Sequence, residues 1–229
     1  MDNHTENSPA QQYPNAKVIG SDLSPIQPEL YASPPFSHPQ SNPCSVPANL
    51  TFEIDDMEDE WIWSNPFSYI HGRMMALAFH DPQAVFAKAF AALEPGGYFE
   101  MQEGLPLRSI DGSSTGTTLQ KIVDLIVLAG SKKGADFNAA EKYKQMFEAV
   151  GFEDVKEAVF EWPLGTWAKS EYHKRIGAWF HRDMKMGMEG FAMMALTKIL
   201  GMKKEEVDEL VKGAKEDMDN KNIHSYQPL

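Results

Sequence analysis

Phe67-Ser68-Tyr69-Ile70-His71, then Asp81-Pro82, then Pro95-Gly96-Gly97 and Tyr98-Phe99-Glu100-Met101-Gln102-Glu103 are the stretches that decide the fold class. The first is a short, mostly apolar run that reads as a buried strand. Asp81 is placed to cap a helix and Pro82 suits its first turn, while Val85, Phe86, Ala89, Phe90 and Leu93 recur at helical spacing. Pro95-Gly96-Gly97 stops that helix, and residues 98–103 read as the next strand. Strand, helix, glycine turn and strand in this order make a parallel α/β crossover.

Upstream, Ala16-Lys17-Val18-Ile19-Gly20 reads as a strand that ends in the turn Ser21-Asp22-Leu23-Ser24-Pro25. Pro28, Pro34, Pro35, Pro39, Pro43 and Pro47 make residues 28–47 an insertion that no helix or central strand tolerates. Leu50-Thr51-Phe52-Glu53-Ile54 alternates as a strand does, and the acidic run Asp55, Asp56, Glu58, Asp59, Glu60 follows it. Residues 1–12 are polar and are expected to form a disordered tail. The rest, 13–229, is expected to be one domain.

Downstream the pattern is mainly helical. Leu119, Ile122, Val123 and Ile126 share one face, as do Tyr143, Met146, Phe147 and Val150, with Gly151 placed to end that helix. A strand is expected over 155–162, a Met-rich and aromatic helical stretch over 167–200, and an amphipathic helix carrying Val207, Leu210, Val211, Ala214 and Met218. His224-Ser225-Tyr226-Gln227-Pro228 is placed to start a last strand.

Composition narrows the function classes. The chain has 229 residues, 42% of them hydrophobic, enough for a substantial core. Its formal net charge of -12 repels phosphate backbones and anionic bilayers, so neither nucleic acid nor membrane is an expected partner. Cys44 is the one cysteine, which rules out an intrachain disulfide and every zinc site needing two thiolates. The polar start and the lack of a long apolar run lead us to expect a cytoplasmic protein.

Taken singly, the chemistry-bearing residues have ordinary readings: Asp22 as a turn cap, the acidic run as a solvated face, His71 as a structural histidine. Their order is more specific. Residues 18–25, Phe52-Glu53-Ile54-Asp55-Asp56-Met57, Tyr69-Ile70-His71-Gly72-Arg73-Met74-Met75 and 93–103 together resemble the fungal LaeA-type, class I S-adenosylmethionine-dependent methyltransferases. The resemblance covers about residues 13–228, interrupted by the insertion. It implies a Rossmann-like α/β fold with helical additions and S-adenosyl-L-methionine as cofactor. In the family, the position of Asp22 binds the ribose hydroxyls, which suits a carboxylate that accepts two hydroxyl hydrogen bonds. The position of Asp56 meets the adenine amino group, and that of Met57 lies along the adenine face. The segment around His71 corresponds to the end of the fourth strand, which makes His71 the favoured candidate for a general base, ahead of His80.

The chain departs from the family where the first strand and the glycine-rich loop belong: residues 1–12 contain no glycine and no buried-strand pattern. The resemblance therefore implies an incomplete central sheet and a compromised cofactor site. Ser68 also stands where the family commonly has aspartate. Two functions are expected. One is a methyltransferase acting on a small molecule in fungal secondary metabolism, its acceptor pocket roofed by 167–200 unless that stretch is ordinary core. The other is a catalytically silent helper, serving other biosynthetic enzymes as scaffold, chaperone or channelling partner, with a protein partner or a second copy completing the sheet.

Overall fold

A computed structural model describes residues 9–24 and 47–229. The insertion expected at 28–47 falls outside the described residues except for Pro47. The chain divides between Ile62 and Trp63 into two compact units.

The first unit holds a one-turn helix, α1 (Pro9–Gln12), and two strands, β1 (Val18–Asp22) and β2 (Leu50–Ile54). The strands run parallel, with Val18 opposite Leu50 and Asp22 opposite Ile54. Gly20 is required where it stands, because a Cβ there would lie 2.7 Å from the Phe52 ring. Of the tail expected over 1–12, residues 9–12 are described and form α1, and residues 1–8 lie outside the described residues. Asn49, at the entry to β2, points its side-chain amide at the carbonyls of Ala10, Tyr13 and Ala16, at 3.0, 3.0 and 2.8 Å. Ala10 is buried as a result.

The second unit opens with the anticipated crossover. Strand β3 (Phe67–Arg73) is followed by helix α2 (Pro82–Ala92) and strand β4 (Leu93–Gln102). Asp81 caps α2, its Oδ1 accepting the Ala84 N–H at 3.0 Å. β3 and β4 pair in parallel. Pro95-Gly96-Gly97 does not precede β4 as expected but lies inside it. The register jumps from Phe67 opposite Leu93 to Tyr69 opposite Tyr98, and Gly96 takes φ 85° to absorb the extra residues. One face of this pair packs Phe99 and Met101 against Phe86, Tyr143 and Phe147, where the Phe86 and Phe147 rings stack at 4.5 Å. The opposite face exposes Tyr69, His71, Glu100 and Gln102.

Four further helices follow: α3 (Thr118–Lys132), α4 (Tyr143–Val150), α5 (Glu171–Met193), which runs on into a π-helical turn at Met194–Ile199, and α6 (Lys204–Asp219). The main core forms where Leu119, Ile122 and Ile126 of α3 meet Phe180 and Met188 of α5 and Val207, Val211 and Ala214 of α6. The anticipated last strand is present as β7 (Ser225–Pro228), between β5 (Arg108–Ser109) and β6 (Glu161–Pro163), antiparallel to both. The strand expected over 155–162 shrinks to Glu161–Pro163. Among the described residues short β7 is its one ladder partner, and the reciprocal bonds between Phe160 and Leu229, both 2.9 Å, close that ladder.

Among the described residues β1 pairs with β2 alone and β3 with β4 alone. No described helix is long and apolar enough to cross a membrane.

Candidate functional site

Asp22, Asp56 and Met57 come together at the carboxyl end of the β1–β2 pair, where open parallel sheets bind their ligands. Asp22 closes β1; its Oδ1 accepts the Ser24 N–H at 2.8 Å, an Asx turn. Asp56 Oδ1 accepts the Glu58 N–H at 2.8 Å, and the Met57 carbonyl accepts the Trp61 indole N–H at 3.0 Å. Both carboxylates are therefore held by their own turns. Beside Asp22, the Ser21 hydroxyl is buried without a hydrogen-bond partner, the kind of orphan a ligand satisfies. A carboxylate held at the carboxyl end of a parallel strand fits the ribose hydroxyls of S-adenosylmethionine. Residues 1–19 contain no glycine.

His71 lies inside β3, two residues short of its end, because the strand continues to Arg73. Its ring stacks beside Tyr69 at 6.3 Å on the exposed face. There the Tyr69 hydroxyl donates to Glu100, and the Gln102 amide donates to the same carboxylate at 2.7 Å. These two bonds, Tyr69 first, hold the Glu100 carboxyl below its ordinary pKa. His80 is also exposed. Neither histidine lines the cavity of the second unit.

That cavity, of about 480 Å³, opens just beyond the carboxyl ends of β3 and β4. Met74, Ala76 and Leu77 contribute from the turn after β3, and residues 103–107 from the turn after β4. Val123 and Ile126 of α3 line it too, as do Asp183, Met184, Gly187, Met188 and Phe191, one face of α5. The roof expected from 167–200 is therefore formed by the carboxyl half of α5. Gln227 of β7 closes one wall. Its amide donates to the Leu105 carbonyl at 3.0 Å, and the Leu105 N–H donates to the Pro228 carbonyl at 2.9 Å.

Glu103 is the buried charged group of this cavity, 8% exposed. Its carboxylate accepts the N–H of Met75 at 2.9 Å and of Ala76 at 3.1 Å, fastening the end of β4 to the turn after β3. Burial raises its pKa, and these two bonds only partly oppose the rise. Met74 takes φ 56°, a left-handed conformation that a side chain adopts at a cost of about 1–3 kcal/mol. Strain of this kind gathers at ligand sites. Nearby in the aromatic cluster, the Tyr143 hydroxyl is buried without a partner, and burial, followed by the charges of Glu103 and Asp136, raises its pKa. Sequence reading missed Glu103 as a site residue, since one acidic residue ending an apolar strand has the signature of an ordinary turn. The available signal was its position at the carboxyl end of a parallel strand.

A family model described as a methyltransferase domain matches residues 5–157. The chain belongs to the methyltransferase-domain family, and its fold is the Rossmann-like α/β class. It is 29% identical over 210 residues to methyltransferase pytC of Aspergillus terreus, covering 91% of this chain and 60% of that protein. It is 27% identical over 225 residues to the secondary metabolism regulator laeA of Monascus pilosus, covering 96% of this chain and 57% of that one. The chain thus spans about 60% of the length of such relatives. Among solved structures, an N-methyltransferase of Haemonchus contortus, in complex with phosphomonomethylethanolamine and S-adenosylhomocysteine, superposes with a TM-score of 0.41 at 16% identity, over 79% of this chain and 36% of that one.

Proposed function

We propose that this chain is an S-adenosylmethionine-dependent methyltransferase of fungal secondary metabolism, with a small-molecule acceptor bound in the cavity beyond β3 and β4 and a weakened cofactor site. The observation that carries the reading is the cavity itself: an apolar concavity of about 480 Å³ at the carboxyl ends of a parallel pair, in the size range of small-molecule sites. Asp22 holds the ribose hydroxyls and Asp56 with Met57 meets the adenine. The cofactor supplies an electrophilic methyl group on a sulfonium. Bound there, it would give that methyl group to an acceptor oxygen, nitrogen or carbon and leave as S-adenosylhomocysteine, and an acceptor that carries hydrogen would pass its proton to solvent. The cavity's share is to bind the acceptor's apolar body. The α5 wall and Met74 give the cavity its apolar surface, and His71 stays the proposed general base for acceptors that need one.

The test is transfer of a labelled methyl group from S-adenosylmethionine to organic-soluble molecules of a fungal culture extract, with the wild-type chain and with Gly187→Leu. Gly187 faces the cavity and a Cβ there meets nothing within 4 Å, so a leucine fills the cavity without disturbing the helix. Label carried by the wild type and not by the variant supports the acceptor site.

A second reading, the silent helper, draws on the sheet. The outer edges of β1 and β3 have no strand partner among the described residues, and unpaired edges recruit strands from other chains. Cofactor binding without transfer to any molecule, together with self-association or capture of a partner strand, favours that reading.

A further inference from the structure

We propose that the cavity beyond β3 and β4 is selective for an apolar molecule carrying a single cationic nitrogen, with Glu103 as the counter-ion. This rests on the reading of the cavity as the acceptor site and names the class of molecule it takes, the ammonium anchoring the molecule and a neutral nucleophilic atom elsewhere on it taking the methyl group.

The charges on the wall carry the inference. Among the described residues of the lining the ionisable ones are Glu103 and Asp183, both acidic, and none is lysine, arginine or histidine. The remaining wall is thioether, aliphatic and aromatic, with Met74, Leu105, Met184 and Phe191 among its members. An anionic ligand would meet two like charges and no donor able to neutralise it. A neutral ligand would gain the apolar contact alone. An ammonium gains that contact and a charge-assisted hydrogen bond in a place where water competes poorly.

The two carboxylates are unequal. Asp183 is exposed on α5, whereas Glu103 is buried at the cavity floor with each oxygen accepting one backbone N–H. A carboxylate oxygen has two lone-pair sites, so each keeps one for a ligand donor. The two backbone bonds fix the carboxylate's direction, which makes Glu103 a preorganised acceptor. Phe191, half exposed on the α5 wall, adds a ring face that attracts a cation.

The experiment is calorimetric titration of the full chain with three probes sharing one apolar body: 4-phenylbutylamine, 4-phenylbutanol and 4-phenylbutyrate, at neutral pH and low salt. The amine is expected to bind about tenfold tighter than the alcohol, the difference a charge-assisted bond makes, and the carboxylate weakest of the three. Gly187→Leu should abolish binding of all three, which locates it in the cavity. Glu103→Gln should bring the amine down to the alcohol's affinity; should that variant fail to fold, the wild-type series decides alone. An alcohol as tight as the amine, or a carboxylate tighter than either, overturns the charge selectivity and leaves the acceptor site standing. Failure of every probe to bind overturns both.

Discussion

The carboxylate of Glu103 accepts the backbone N–H of Met75 at 2.9 Å, and that bond joins the end of β4 to the turn that follows β3. With the companion bond from buried Ala76 it shapes the cavity floor. Glu103→Ala strands both donors, at a cost of about 1–3 kcal/mol. Chemical denaturation should show that loss, and a variant as stable as the wild type would mean that other acceptors replace the carboxylate.

Two glycines of α5 should respond in opposite directions. At Gly177 a Cβ would sit 2.0 Å from the Gly165 carbonyl oxygen, so Gly177→Ala forces the helix away from the loop that leads out of β6 and costs about 1–3 kcal/mol. At Gly187 nothing lies within 4 Å of a Cβ, so Gly187→Ala should stabilise by about 0.5–1 kcal/mol through helix propensity. Thermal melts of the two variants decide, and a shift of the same sign in both would contradict the packing of α5.

In the first unit, Asn49→Ala removes the amide that reaches three backbone carbonyls. Loss of about 1–2 kcal/mol is expected there. Hydrogen exchange at Val18 and Ile19 reads it, because local unfolding sets their protection. Unchanged protection would show that α1 and β1 are held by other contacts.

Asp111 gives the pH dependence. Its carboxyl is held down to about 2, first by the side chain and backbone N–H of Ser113 and then by His224, whose Nδ1 lies 2.6 Å away. A depressed acid contributes stability that is full above its ordinary value of 3.8 and is lost as pH falls toward about 2. Carbon-detected titration should find Asp111 ionised well below pH 3.8, with Ser113→Ala raising its midpoint. A midpoint at the ordinary value would remove this tie between the 111–113 turn and the entry to β7.

The crossover from β3 to β4 was legible because its signals are local: Asp81 and Pro82 start the helix, and the apolar spacing of Val85, Phe86 and Ala89 continues it. The bulge at Gly96 was not, since a Pro-Gly-Gly turn and a strand that absorbs three extra residues look alike until the partner strand sets the register. The sequence marked Asp22, Asp56 and Met57 as following two strands, and the parallel pairing of those strands places the three residues at one end of the pair. The cavity could not be read in this way. Its wall draws Met74, Glu103, Val123, Met188 and Gln227 from five separate segments, and no spacing in sequence announces that they meet.

Calorimetric titration of the wild-type chain and Asp22→Ala with S-adenosylhomocysteine tests the central claim most directly, because it asks whether the carboxyl end of the β1–β2 pair holds a nucleoside. The account predicts measurable binding by the wild type and a loss of roughly 1.5–3 kcal/mol in the variant, the worth of hydrogen bonds to a charged acceptor. Equal affinity in the two proteins, or none in the wild type, would contradict it.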